Sequence, residues 1–344
     1  MDVQKKVVRV LIVDDCPIAR ELISGMLTED AGIQVVGEAC NGEEGVKQAS
    51  RLQPDLIIMD IEMPVMNGLE AIEIIMKDNP TPIIVVTAYG DAHFAYEAIS
   101  RGALEVVEKP NIDFADSAQF IHKLKLLAGV KVIRHMNRSR QANTTNSIAK
   151  INSSFCPQAI AIASSLGGAK VLETLFSQLP ADFPVPIVVA QHISEGFAEP
   201  LAEWLNYKTP LTVKVAAQAD TLLPGNILIA PPEYNMQVKA DGHIELLPAL
   251  PEHIYHPSCD MLLSSVARNY QQGAIGVILT GMGQDGVAGI QAIKDVGGIT
   301  IAQNEQTSLI YNMPRLVIER GLADYIVAAN DISATLSKVI SLCQ

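Results

Sequence analysis

The chain has 344 residues, 49% of them apolar, and 38 acidic against 25 basic side chains, for a formal net charge of −13. That length exceeds what one hydrophobic core usually organises, so two domains are expected. The acidic balance argues against a nucleic-acid partner, and no apolar run approaches the roughly 20 residues that cross a bilayer, which argues against membrane insertion. Cys16, Cys40, Cys156, Cys259 and Cys343 are scattered without C-x-x-C spacing. Neither a zinc site nor a disulfide framework is implied, and a reducing, cytoplasmic setting fits best.

The opening stretch MDVQKKVVRVLIVDD has basic residues ahead of an apolar run, but it passes straight into acids without a small-residue cleavage site. It is expected to be a first strand. Over residues 1–127 the runs VVRVLIV, IQVVGEA, DLIIMD, PIIVVTA and LEVVEK alternate with helix-like stretches, the pattern of βαβ units around a parallel sheet. Strand one ends in Asp14 and Asp15 and strand three in Asp60, which gathers three carboxylates at the edge where open parallel sheets bind ligands. Packed like charges require a cation, and hard oxygen ligands favour Mg²⁺. Thr87 closes strand four and Lys109 strand five, adding a hydroxyl and an ammonium. The set reads as a site that takes a phosphoryl group onto a carboxylate.

LIVDDCP, IIMDIEMPVMNG, VVTA and VEKP resemble, in order, the motifs of the receiver domain of two-component response regulators, a flavodoxin-like (βα)₅ fold. The resemblance implies that Asp60 accepts the phosphoryl group, that Asp14 and Asp15 hold Mg²⁺ with it, and that Thr87 and Lys109 contact the phosphoryl oxygens. Many receivers carry an aromatic switch three residues before that lysine; Val106 stands here.

Residues 128–156 are rich in Asn, Ser and Thr, contain five Lys and Arg and no Asp or Glu, and read as a polar basic linker. It either lies against an acidic domain or stays solvated. Residues 157–344 again alternate apolar runs (QAIAIAS, PIVVAQ, LTVKVAA, NILIA, AIGVILT, GITIAQ, DYIVA) with helical stretches, so an α/β doubly wound, mostly parallel sheet is expected. Asp241-Gly242 within EYNMQVKADGHIELLP signals an antiparallel hairpin at its edge.

In this second domain Ser165 follows a strand and precedes Gly167-Gly168 and a helix, His192 ends PIVVAQH, and Asp285 sits in the loop GMGQDG. All three fall at one strand edge, where a hydroxyl, an imidazole and a carboxylate can act as nucleophile, base and orienting acid. The loop also fits the dinucleotide fingerprint G-x-G-x-x-G, with Glu305 about twenty residues on for a ribose contact. Against that alternative, Asp285 would set a carboxylate beside a pyrophosphate. A DNA-binding output domain is disfavoured by the acidic, βα-patterned sequence.

IASSLGGA, AQHIS, ILIAPPEYNM, HPSCDMLLSSVA, ILTGMGQDGVAG and NMPR resemble, in order and spacing, the catalytic domain of the chemotaxis protein-glutamate methylesterases, the CheB family. The resemblance implies a phosphorylation-regulated hydrolase that removes methyl esters from chemoreceptor glutamates and also deamidates receptor glutamines. It implies Ser165, His192 and Asp285 as the triad, backbone N–H groups of His192 and Met282 as oxyanion donors, and no cofactor for the ester reaction. The implied partners are methylated chemoreceptor cytoplasmic domains and a chemotaxis histidine kinase as phosphodonor. The chain departs from the family at Ser164 and Leu166, usually Ala and Thr, and at Asn312, commonly Gly. Those departures leave a catalytically weak adaptor as the alternative.

Overall fold

The computed structural model describes residues 7–87, 92–109, 117–130, 156–248 and 255–341, with nothing taken from the side chains of 92 and 93. Contacts divide the chain into two compact units, Met1–Ser139 and Arg140–Gln344. The expected linker lies mostly outside the described residues.

In the first unit, β1 (Val8–Val13), α1 (Pro17–Thr28), β2 (Ile33–Ala39), α2 (Gly42–Leu52), β3 (Leu56–Met59), α3 (Gly68–Asp78), β4 (Ile83–Thr87), α4 (Ala92–Arg101), β5 (Glu105–Glu108) and α5 (Ser117–Ala128) alternate as expected. The strands form a parallel sheet in the order β2-β1-β3-β4-β5, the flavodoxin-like arrangement. β3 and β4 are buried throughout because helices cover both faces, which is why these runs lack polar alternation. Asn41 and Asn67 cap α2 and α3 by accepting the N–H groups of Glu44 and Glu70, fixing where those helices begin.

The second unit comprises β6 (Ala159–Ser164), α6 (Gly168–Ser177), β7 (Ile187–Gln191), α7 (Ala198–Lys208), β8 (Thr212–Val215), β9 (Asn226–Ile229), β10 (Tyr234–Val238), β11 (Ile244–Pro248), α8 (Cys259–Tyr270), β12 (Ala274–Ile278), α9 (Val287–Asp295), β13 (Ile299–Gln303), α10 (Met313–Glu319), β14 (Tyr325–Val327) and α11 (Ile332–Ser341). Its seven-stranded parallel sheet runs β14-β13-β12-β6-β7-β9-β8. From β6 the chain winds outward through β7 to β8 and β9, then returns to β12 on β6's other flank. The reversal opens a crevice at the C-terminal ends of β6 and β12.

The antiparallel hairpin is present, pairing Tyr234 with Pro248 through Val238 with Ile244. It forms its own two-stranded sheet beside the parallel one. Helix α8 holds it: Ser265 Oγ accepts the N–H of Val238, and Asn269 Nδ2 donates to the carbonyl of the same residue. Polar groups reaching across from a helix thus anchor the hairpin.

Candidate active site and phosphoacceptor site

The first sheet brings its acids together through strand register. Val13 pairs with Met59, and the N–H of Asp60 donates to Val13 O at 2.8 Å, so Asp14 and Asp60 leave adjacent strands side by side. Both are buried, whereas Asp15 is exposed. Carboxylate oxygens of Asp14, Asp15 and Asp60 all lie within 4.8 Å of one another. Lys109 reaches them from β5, its Nζ 2.7 Å from Asp60 Oδ2 and 2.8 Å from Asp14 Oδ2. Burial, reinforced by the charge on Asp14, outweighs Lys109 and the Ile61 N–H and pushes Asp60 from 3.8 up to about 6. Burial would lower Lys109, but the two carboxylates hold it above its ordinary value. Thr87 Oγ1 is buried with no hydrogen-bond partner among the described residues. An all-oxygen donor set and a spare buried hydroxyl fit a hard cation and an oxyanion better than a soft ion.

On the second sheet, Ser164 pairs with Gln191 in register and the N–H of His192 donates to Ser164 O at 3.0 Å. Ser165 and His192 therefore leave neighbouring strands at the same level. The loop after β12 comes alongside, since the N–H of Ser165 donates to Thr280 O at 3.1 Å. Asp285 accepts a hydrogen bond from His192 Nε2 at 2.8 Å. Ser165 Oγ makes no hydrogen bond among the described residues, to His192 or any other group. Contacts of this kind often tighten only with substrate bound.

Asp285 is held by a feature that sequence reasoning missed, the start of α8. Its Oδ2 accepts the N–H of Cys259 at 2.6 Å, while Oδ1 accepts the N–H groups of Asp260 at 2.9 Å and Gly286 at 3.1 Å. Burial would raise its pKa, but the His192 hydrogen bond and charge, with these N–H donors, bring it below the ordinary carboxylate value. A helix N-terminus is a natural seat for a negative charge. Ser258, as N-cap of α8, was the available signal.

Two further side chains shape the rim. Tyr255 stacks on the His192 ring, centroids 5.0 Å apart and planes within 11°. Gln191 is buried and its Nε2 donates to both Ser165 O and His192 O at 2.9 Å, while its Oε1 accepts from Ser164 Oγ at 2.5 Å. The amide thereby ties the serine turn to the histidine turn. Ser164, a departure from the family pattern, orients that amide.

The glycines of GMGQDG serve this packing. A Cβ on Gly281 would lie 2.6 Å from Ser165 Cβ, and Gly283 has φ +89° with its missing Cβ 2.4 Å from the Tyr255 hydroxyl. Asp285 is turned to His192, so the loop presents a carboxylate and the dinucleotide alternative loses its basis. Asn312 precedes α10 at φ −119°, a conformation open to any residue, so the departure from glycine there costs nothing in the backbone.

One expected oxyanion donor needs correction. The His192 N–H is spent on Ser164 O, because it continues the β6–β7 ladder beyond the last paired strand residue. By contrast, the N–H groups of Met282 and Leu166 carry no hydrogen bond among the described residues. Leu166 follows the serine directly, as one oxyanion donor does on other strand-turn-helix serine sites.

Both units resemble known proteins. The family described as CheB methylesterase matches residues 160–336, and the response regulator receiver domain matches residues 10–120. The chain is 40% identical to a Paramagnetospirillum magneticum protein named protein-glutamate methylesterase/protein-glutamine glutaminase 3, over 96% of both chains. It is 41% identical, with the same coverage of both, to the Myxococcus xanthus protein of that name numbered 4. The crystal structure of the Thermotoga maritima CheB methylesterase catalytic domain aligns at TM-score 0.52 and 37% identity, covering 53% of this chain and 98% of that one. At such identity over nearly its whole length, the chain belongs to the CheB methylesterase family, with a response-regulator receiver ahead of the hydrolase.

Proposed function

We propose that the chain removes methyl esters from glutamate side chains on the cytoplasmic helices of chemoreceptors, and that phosphoryl transfer to Asp60 from a histidine kinase sets the rate. The observation that carries the catalytic part is the His192–Asp285 pair, 2.8 Å apart, on the rim that also bears Ser165. Ser165 Oγ attacks the ester carbonyl. His192 takes its proton, and because Asp285 occupies Nε2, the nitrogen that does so is Nδ1. The tetrahedral oxyanion is held by the N–H groups of Met282 and Leu166, each worth roughly 3–4 kcal/mol in such a role.

His192 then gives the proton to the departing methoxide, releasing methanol and leaving an acyl ester on Ser165. Water, deprotonated by His192, attacks that ester and restores the serine, so a free glutamate leaves and no cofactor is needed. Deamidation of a glutamine follows the same course with ammonia as leaving group.

In the receiver, Asp14, Asp15 and Asp60 would hold Mg²⁺, which when bound neutralises charge on the phosphoryl oxygens. Asp60 Oδ attacks the phosphorus as its P–N bond to the kinase histidine breaks and the imidazole departs, Lys109 pairs with the transferred group, and Thr87 donates its spare hydroxyl to it. Methanol release from methylated receptor membranes, with and without a small phosphodonor, tests both parts. Ser165→Ala retaining a near-wild-type rate refutes the catalytic assignment, and a rate indifferent to the phosphodonor refutes the regulatory one.

A further inference from the structure

The spacing of cysteines along the sequence implied no metal site, yet the fold delivers Cys259 to the hydrolase rim. Its Sγ lies 3.4 Å from His192 Nε2, the nitrogen that is 2.8 Å from Asp285 Oδ2. One donor atom from each of His192, Cys259 and Asp285 falls within 4.8 Å of the others. We infer that these three side chains form a site for a thiophilic divalent cation, Zn²⁺ or Co²⁺, whose binding switches the hydrolase off.

Ligand type is the first argument. Imidazole nitrogen, sulfur and a single carboxylate oxygen suit zinc and cobalt and do not suit Mg²⁺ or Ca²⁺, so the site would discriminate sharply from the all-oxygen cluster on the first sheet. Spacing is the second. Zinc bond lengths and a tetrahedral angle put the N and O ligands roughly 3.4 Å apart and the N and S ligands roughly 3.6 Å apart. The observed pairs at 2.8 Å and 3.4 Å reach those values with shifts of about 0.6 Å and about 0.2 Å, which a side-chain rotation supplies.

The carboxylate is also held as an ion's ligand would be. Asp285 Oδ1 is fixed by the Asp260 and Gly286 N–H groups, which orients Oδ2 as second partners orient metal-binding carboxylates. A thiolate and a carboxylate neutralise a dication, so the filled site carries no net charge in a buried setting. His192 is the partly exposed member of the set and gives the ion its approach.

Inhibition follows from proton placement. Binding requires a lone pair on Nε2 and a thiolate on Cys259. The thiol proton leaves to solvent, and the imidazole proton moves from Nε2 to Nδ1. That fills the nitrogen that must accept the Ser165 proton, and it pulls Asp285 away from orienting the ring. Only this inhibitory consequence rests on the hydrolase reading; the site itself does not.

The test uses the full-length chain freed of metal. Titration with Co²⁺ should give a near-ultraviolet thiolate-to-cobalt charge-transfer band that saturates at one equivalent and is displaced by Zn²⁺. Cys259→Val and Cys259→Ser, each checked for native far-ultraviolet circular dichroism, should lose it. Zn²⁺ should lower wild-type methanol release at least about tenfold, reversibly with EDTA. Cys259→Val should need at least about tenfold more Zn²⁺ for the same fractional loss of its own metal-free rate, as expected when a ligand is removed. Absence of the band, its persistence in both variants, or equal zinc sensitivity of wild type and Cys259→Val overturns the inference. A Cys259-dependent band on a chain that releases no methanol when metal-free leaves the cation site standing and sinks the hydrolase reading instead.

Discussion

Asp60 and Asp285 occupy equivalent places on two unrelated sheets. Each is buried past the end of a central parallel strand, Asp60 directly after β3 and Asp285 in the loop after β12, where the winding of the sheet reverses. Their electrostatics are opposite: Asp60 is raised to about 6 and Asp285 lies below the ordinary value. The difference comes from what each fold places against the oxygens. Asp60 has a second carboxylate beside it, one N–H and one shared lysine, which is an incomplete neutralisation that leaves room for a cation and a phosphoryl group. Asp285 has N–H donors from the start of α8 and an imidazole, a finished seat for a permanent charge. Topology decides where a carboxylate can be functional, and the neighbouring donors decide what it does there.

The sharpest way to break this comparison is to remove the chemistry that the seated carboxylate is said to serve. Ser165→Ala should reduce methanol release by roughly 10⁶-fold, the scale on which nucleophile loss disables serine hydrolases. Asp285→Asn should cost roughly 10⁴-fold, because the amide favours the wrong imidazole tautomer. It should also destabilise the second domain at neutral pH by about 1–3 kcal/mol, since an NH₂ group would face N–H donors. Steady-state rates and urea unfolding measure the pair of effects, and an Asp285→Asn enzyme with unimpaired turnover would show that the seat is structural only.

Asp60→Asn should act with the opposite sign. The carboxyl of Asp60 titrates at 3.8 in the unfolded reference and about 6 in the fold. Between those values the folded chain keeps a proton that the unfolded chain has lost, so stability falls as pH rises through the window and stays reduced above it. Without Mg²⁺, the Asp60→Asn substitution should therefore stabilise the first domain by up to about 3 kcal/mol at pH 7.5 and by under about 1 kcal/mol near pH 4. For Asp285 the sign reverses: its contribution is complete above 3.8 and is lost as the pH falls below that. Unfolding midpoints of the two variants across pH decide the matter, and equal signs would dissolve the contrast.

The smallest effect tests the brace under the serine. Ser164→Ala removes one hydrogen bond to Gln191 and should cost about 1 kcal/mol in stability with a severalfold fall in turnover, far milder than Ser165→Ala. Gln191→Leu, which takes the amide donor from Ser165 O and His192 O and the acceptor from Ser164 Oγ, should cost more than Ser164→Ala in both measures. If the two substitutions are indistinguishable from wild type, the amide does not hold the two turns together.

Much of this was readable before any coordinates. Asp14, Asp15, Asp60, Thr87 and Lys109 are found at strand ends, and so are Ser165 and His192, because apolar runs of strand length fix where each strand stops and parallel winding sends every stop to one edge. The His192 N–H was misassigned because pairing one residue past β7 depends on register with β6. The donors around Asp285, the Tyr255 stack and the Gln191 brace were invisible for a related reason: each joins segments tens of residues apart whose meeting depends on packing. The hairpin was legible from Asp241-Gly242, but its attachment to α8 through Ser265 and Asn269 was not.

Sequence alone determined two α/β domains, their order and the strand edge at which the candidate residues gather, since those follow from local periodicity and from motifs a few residues long. Tertiary structure decided the direction in which Asp60 and Asp285 are shifted, which backbone donors remain free, and the approach of Cys259 to His192. Those properties arise from distances of a few ångströms between residues up to 93 positions apart, over which no local pattern has control.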